Sequence, residues 1–377
     1  MQAPNAPHLP DHPATAGTLP YAPLDHLGVI RVQGTDAPSF LQGQLTNDVL
    51  TLSGGEARLA GYLTPNGRML ATFWVIRHDE SPEPEQAEEP VFWLVCSRDI
   101  AASIAKRLGI YVLRSKVKVL DMSETCRVLG FVGLPNRARL TLDGAPQPAI
   151  TATLPEIALT ETTVDMLTTP ARRLLGPGHQ LLRSLVLIPH ESLQAVAGPH
   201  PGFKLSDSDW LQLDVASGTP SIVADTQERF IPQMLNLDLI GGVSFKKGCY
   251  PGQEVVARSE YRGKVKRRMY AGICSGPLPA PGTDIIAWDG TAIGQVVCCA
   301  SLSATPDSEL TEIIGQGSDY PDAPLPITVV GRRYLLLFEA RIDVIGTQPQ
   351  GAGMIATSLR IGEAAIGLLR LPYDLPV

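Results

Sequence analysis

The sequence predicts an α+β fold, with two α+β lobes followed by a C-terminal small β-barrel. Three observations favour this fold class. The chain has 377 residues, which is long for a single hydrophobic core. Up to about residue 268, pairs of predicted strands are followed by helices, an order typical of antiparallel α+β lobes. Beyond that point, short strands alternate with glycine and proline turns, which favours a small barrel.

The N-terminal part begins with a proline-rich segment, residues 1–20, which predicts a disordered tail. An Asn-Gly turn at 64–67 predicts a hairpin, and the acidic stretch 78–90 predicts a solvated hairpin loop. Strands are predicted at Val29–Val32, Ala57–Leu63, Met69–Arg77, Val91–Cys96, Val117–Asp121 and Val128–Val132. Helices are predicted at Ala37–Leu41, which Asp36 would cap, and at Arg98–Leu108.

The second half is less regular. Residues 134–180 predict irregular strands, His179–Val186 predicts a helix, and Gln253–Arg258 has helical character. A loop at about 302–326 would interrupt the barrel. Barrel strands are predicted at Met269–Cys274, Asp284–Trp288, Ile293–Cys299, Ala352–Ile361 and Ala364–Leu371.

Composition excludes several classes of function. The net charge of −7 argues against a protein that coats nucleic acid, and no apolar run is long enough to cross a bilayer. The six cysteines form no C-x-x-C pair, which favours a reduced, cytoplasmic setting. Neither a metal motif of the H-E-x-x-H type nor a nucleotide-binding glycine loop occurs, so no resident metal is expected.

The segment 246–258 carries the strongest chemical pattern in the chain. Cys249 follows Lys246 and Lys247 and precedes a turn and a predicted helix start. Nearby cations and unpaired backbone N–H groups stabilise a thiolate, so this pattern predicts a reactive cysteine. The alternative interpretation is a structural cysteine in a glycine-rich turn.

The same segment resembles the signature of the YgfZ family of folate-binding proteins, K-G-C-[FY]-x-G-Q-E. The matching residues are Lys247, Gly248, Cys249, Tyr250, Gly252, Gln253 and Glu254. The resemblance extends to segments 230–236 and 262–267 and, near the N-terminus, to 41–48 and 61–68. The wider superfamily includes the aminomethyltransferase (T protein) of glycine cleavage.

The resemblance implies T-protein-like lobes around a central folate pocket. Residues 21–125 and 205–260 would form the folate-binding α+β core, 126–204 the second lobe and 261–377 the barrel. The expected cofactor is tetrahydrofolate or another reduced folate. Cys249 and Lys247 are the candidate catalytic residues. The candidate folate-binding residues are Gln44, Asn47, Asp48, Asp214, Gln253, Glu254 and Arg262.

Amide and carboxylate groups at 42–48 could recognise the many donors and acceptors of a pterin, although they could equally be a polar helix cap. The basic residues at 262–268 suit a polyanion, such as the glutamate tail of folate or an RNA backbone. A solvated run of charges is the alternative interpretation.

Departures from the family pattern separate two functions. Ala71 and Thr72 stand where the aminomethyltransferase has adjacent aspartates, and Ala216 stands where relatives commonly carry a glutamate that contacts the pterin. Folate binding is therefore expected to be weaker than in a T protein unless Asp214 substitutes. We expect an accessory protein for assembly or repair of iron–sulfur clusters, with a reduced folate and client enzymes such as the tRNA methylthiolation enzyme as partners. The alternative is a folate-dependent aminomethyltransferase. Neither membrane association nor strong direct binding of nucleic acid is expected.

Overall fold

A computed structural model describes residues 20–54, 56–78, 89–132, 150–154, 157–158, 180–193, 204–261, 263, 265–302, 332–346, 348–349 and 355–376. Several predicted segments lie wholly or mostly outside the described residues. These are the N-terminal tail, the acidic stretch, most of the irregular region 134–180 and nearly all of the loop 302–326.

The described strands are β1 Tyr21–Pro23, β2 Leu27–Gln33, β3 Ala57–Leu63, β4 Met69–His78, β5 Val91–Ser97, β6 Lys118–Asp121, β7 Cys126–Val132, β8 Ile150–Thr153, β9 Ile157–Ala158, β10 Gln180–Leu181, β11 Arg183–Pro189, β12 Arg267–Ser275, β13 Asp284–Ile286, β14 Ala292–Leu302, β15 Arg333–Arg341, β16 Ile355–Ile361 and β17 Ala364–Leu369. The described α-helices are α1 Ala37–Gln42, α2 Arg98–Ile110, α3 Asp207–Ala216, α4 Gln253–Tyr261 and α5 Ile342–Ile345.

An antiparallel sheet forms the N-terminal lobe, with the described strands in the order β3-β4-β5-β2-β6. The predicted hairpin is present, because β3 pairs with β4 across the Asn-Gly turn. Helix α2 packs on this sheet through apolar residues spaced three and four apart, the arrangement that places side chains on one helix face. These residues are Ile100, Ala101, Ile104, Ala105 and Leu108.

A second sheet has the described order β1-β7-β11-β8. The helix predicted at His179–Val186 is wrong, because this part of the chain runs through β10 and into β11. Strand β11 lies between β7 and β8, and Arg183–Ile188 are all buried. A strand buried on both faces has no alternation of polar and apolar residues, so periodicity does not distinguish it from a buried helix.

The C-terminal part is a closed barrel with the described order β12-β15-β14-β13-β16-β17. Sequence analysis missed β15, which lies between β12 and β14 and pairs with both along its length. The continuous burial of Tyr334–Ala340 removes the alternation that reveals a half-buried strand. The α+β fold class with a C-terminal barrel is confirmed. Among the described helices, none is both long and apolar enough to span a membrane.

Candidate functional site

Lys247 connects the segment 246–252, which carries Cys249, to the end of α1 through hydrogen bonds. Its Nζ donates to the carbonyl oxygens of Gln42 and Leu45, at 2.5 Å each, and the residue is 8% exposed. Gln42 is the last residue of α1, and the last carbonyls of a helix lack partners within it and carry partial negative charge, so a cation is favourable there. Two segments about 200 positions apart in the chain are therefore in direct contact.

Burial lowers the pKa of Lys247 to about 8, and the nearby Asp48 carboxylate opposes this shift. The same ammonium lies 5.2 Å from the centroid of the Tyr250 ring, a cation–π contact within the cysteine segment. The resolved contacts of the Lys247 cation are thus with α1 and Tyr250. They position the loop that carries Cys249.

Thr46 and Asn47 strengthen the same junction. The Asn47 amide donates to the carbonyls of Leu59, at 2.7 Å, and Gly241, at 2.6 Å. The Thr46 hydroxyl donates to Gly242 O at 2.6 Å and accepts from Gly61 N at 2.7 Å. Sequence reasoning assigned no role to Thr46. Its position beside Asn47, within the segment 41–48 that resembles the family pattern, is the sequence signal that could have indicated one.

Two glycine turns meet on the other side of Cys249. Gly252 has φ +80°, and a Cβ built on it would lie 2.7 Å from Gly67 Cα and 2.7 Å from Thr64 O. Gly67, in the hairpin turn between β3 and β4, has φ +74° and faces Val255 of α4. The two turns pack backbone against backbone, which only residues without a side chain permit. The hairpin turn therefore fixes the start of α4.

Cys249 is the exposed thiol among the six cysteines of the chain. The others are buried or partly buried, and burial raises the pKa of each: Cys274 and Cys298 to about 12, Cys299 to about 11, and Cys96 and Cys126 also upwards. Among the described residues, no group of three or more His, Cys, Asp or Glu could hold a metal ion.

Gln44 and Asp48 follow α1, and each has a side-chain oxygen that could accept a further hydrogen bond. Gln44 Oε1 is buried and has no hydrogen-bond partner among the described residues. Asp48 Oδ1 accepts from Leu50 N at 3.0 Å, which leaves the second carboxylate oxygen available. In contrast, the amide of Asn47 is fully used in holding the junction, since its Oδ1 also accepts from Asp48 N.

Asp214 lies on α3 and forms an ion pair with the buried Arg183, whose guanidinium also stacks on Trp210, 5.1 Å from the ring centroid. Glu254 is on the exposed side of α4, where it pairs with Arg258 at 3.0 Å. Gln253 begins α4. The last predicted folate residue, Arg262, lies outside the described residues.

Two arginines of the basic residues 262–268 form ion pairs with carboxylates of the same chain. Arg268 pairs with Asp238 at 2.6 Å, and both side chains are 4% exposed. Arg267 pairs with the buried Glu339 of β15. Because Arg267 and Arg268 are neutralised within the protein, they are not available to a polyanion.

Asp36 does not cap α1 as predicted. Its carboxylate instead accepts from Lys116 N.

The fold is that of the aminomethyltransferase T structures. Aminomethyltransferase T of the glycine cleavage system from Bartonella henselae superposes with a TM-score of 0.59 over 94% of this chain and 86% of that chain, at 14% sequence identity. No family model matches the chain. Among curated proteins, "tRNA-modifying protein YgfZ" of Hamiltonella defensa is 33% identical over 247 residues, 66% of this chain and 68% of the relative. The protein of the same name from Cronobacter sakazakii is 31% identical over 284 residues, 74% of this chain and 79% of the relative. The chain belongs to the YgfZ family.

Proposed function

We propose that this protein is a tetrahydrofolate-binding accessory factor for the assembly or repair of iron–sulfur clusters, serving enzymes such as the tRNA methylthiolation enzyme. The observation that carries the proposal is the exposed thiol of Cys249 on a loop held firmly from both sides. Relatives that bear the name "tRNA-modifying protein" support a role in the same cellular process.

The geometry favours a thiol that acts on a partner rather than inside a closed site. Lys247 on one side and the Gly67–Gly252 contact on the other fix the loop, so Cys249 is presented in one place. A stable cluster usually requires four protein thiolates, and one exposed cysteine supplies a single ligand. Cys249 would therefore act as a single thiolate ligand that binds an iron of the client's cluster transiently and then dissociates.

The residues after α1 fit a pterin in part. The unpartnered acceptor at Gln44 Oε1 would take an N–H of the ring, and the free oxygen of Asp48 would take a second. A buried acceptor without a partner costs free energy that a donor from the ligand would recover. Of the remaining predicted ligands, Asp214 and Glu254 already have cationic partners within the protein.

Transfer of an aminomethyl group is not supported. Ala71 is fully buried on β4, and the hydroxyl of its neighbour Thr72 accepts from Ile222 N at 3.1 Å. Neither residue can provide a carboxylate to stabilise a developing iminium cation. Ala216, at the end of α3, is also buried, and its methyl group offers no acceptor to a pterin N–H.

Calorimetry with tetrahydrofolate tests the folate part of the proposal. The wild type should show a measurable heat of tetrahydrofolate binding. Gln44→Leu should raise the Kd by about tenfold because it removes one hydrogen bond. The same variant should keep or raise the melting temperature because it removes a buried acceptor without a partner. Gln295→Leu, on β14 of the barrel, is the matched control. Absence of binding heat with the wild type would remove folate from the account.

A further inference from the structure

A surface at the end of α2 combines exposed apolar side chains with uncompensated positive charge. We call it the basic apolar surface and define it by Lys106, Ile110, Tyr111, Leu113, Arg114 and Lys116. Leu113 is 87% exposed, Ile110 66% and Tyr111 42%. Residues 111–115 line an open depression of about 590 Å³. Contiguous exposed apolar groups rimmed by polar ones mark interaction sites.

The charge of this surface is opposite to that of the whole chain. Residues 106–120 include five cations and no acidic residue, whereas the net charge of the protein is −7. Within the described part of the chain, no carboxylate forms an ion pair with Lys106, Arg114 or Lys116. Asp36 contacts this segment through the backbone, because its carboxylate accepts from the N–H of Lys116. With respect to the described residues, these side-chain cations are therefore available to a partner.

Two features of Leu113 cost free energy in the isolated protein: its backbone conformation and the exposure of its side chain. It has φ +46°, a left-handed conformation that favours glycine, and it projects its apolar side chain into solvent. A contact that buries this side chain would reverse the second cost. The loop is already ordered for such a contact, because Ser115 N donates to Val112 O at 2.8 Å and Asp36 holds Lys116. A preformed loop loses little conformational entropy on binding.

We propose that the basic apolar surface binds an acidic protein segment that also carries apolar side chains. Carboxylates of the segment would pair with Lys106, Arg114 and Lys116, and its apolar residues would cover Leu113 and Ile110. RNA fits less well, because phosphates satisfy the cations but leave the two aliphatic side chains exposed. None of the residues that define this surface belongs to the Cys249 loop, and the inference does not depend on the proposed function.

Fluorescence anisotropy with the full chain tests the proposal. The probe is a labelled synthetic peptide of glutamate and leucine; the comparisons are the same peptide with serine in place of leucine, and polyuridylate RNA of equal charge. The glutamate–leucine peptide should bind at least about tenfold more tightly than either comparison. Leu113→Gly should weaken this binding by about tenfold without lowering the melting temperature, since glycine suits the left-handed backbone.

Trp288→Ser removes an apolar side chain that is 76% exposed on the barrel and should leave the affinity unchanged. Three results would overturn the proposal. RNA could bind more tightly than the peptide, or the serine peptide could bind equally well, which would show charge attraction alone. Alternatively, the peptide could bind only after residues 79–88 are replaced by glycine and serine, which would assign the surface to the acidic stretch of this same chain.

Discussion

Replacing Gly252 by alanine tests whether the two glycine turns fix the cysteine loop. An alanine at φ +80° costs about 1–2 kcal/mol in backbone energy. Its Cβ would also lie 2.7 Å from Gly67 Cα and Thr64 O, atoms of another backbone that cannot rotate away. Forcing such overpacking costs about 1–3 kcal/mol more. The free energy of unfolding should therefore fall by about 2–5 kcal/mol, a large part of the roughly 5–15 kcal/mol typical of proteins.

Two control variants separate the contact from the backbone. Gly290 has φ +84° but open space around it, so Gly290→Ala should lose only about 1–2 kcal/mol. Gly248, next to Cys249, has open space and an ordinary φ, so Gly248→Ala should be close to neutral. Urea unfolding of the three variants measures the differences. If Gly252→Ala is no more destabilising than Gly290→Ala, the backbone contact between the turns does not fix the loop.

Three further predictions follow from the described contacts. Because burial lowers the pKa of Lys247 from 10.5 to about 8, the unfolded chain binds more protons between these pH values, and wild-type stability should gain a contribution that rises with pH across this window. Lys247→Met should lose that contribution in urea unfolding measured as a function of pH; an unchanged slope would contradict it. Iodoacetamide should label Cys249 before the other cysteines by mass spectrometry, because it is the exposed thiol; equal labelling of Cys126 would contradict this. Asp238→Leu should destabilise by about 3–5 kcal/mol by leaving Arg268 buried and unpaired, and Arg268→Met added to it should restore much of the loss; failure of the double variant to recover would mean that packing, not charge, dominates there.

The sequence predicted elements well where local signals were strong. The Asn-Gly turn specified the β3–β4 hairpin, and the spacing of apolar residues specified α2. Prediction failed at β11 and β15, which are buried on both faces and therefore lack alternation. Tertiary context, not local propensity, determines such strands.

The site was predictable in its segments but not in its contacts. Sequence reasoning selected the regions around residues 45 and 250, and the structure joins them directly. It did not predict that Lys247 would fasten α1, that Arg268 would pair with Asp238, or that Gly67 would face Gly252. Each of these contacts joins residues that are distant in sequence or on different elements, and no local pattern encodes such a pairing.

The proposed action of Cys249 on iron–sulfur enzymes can be tested directly by one measurement in cells. A bacterial strain without its own YgfZ protein is supplied with the wild type, Cys249→Ser or Cys126→Ser, and its methylthiolated tRNA nucleoside is quantified by mass spectrometry. Cys126 is a partly buried thiol and serves as the matched control. We expect wild type and Cys126→Ser to restore the nucleoside and Cys249→Ser to leave it at the level of the deleted strain. Full restoration by a folded Cys249→Ser protein would contradict the account.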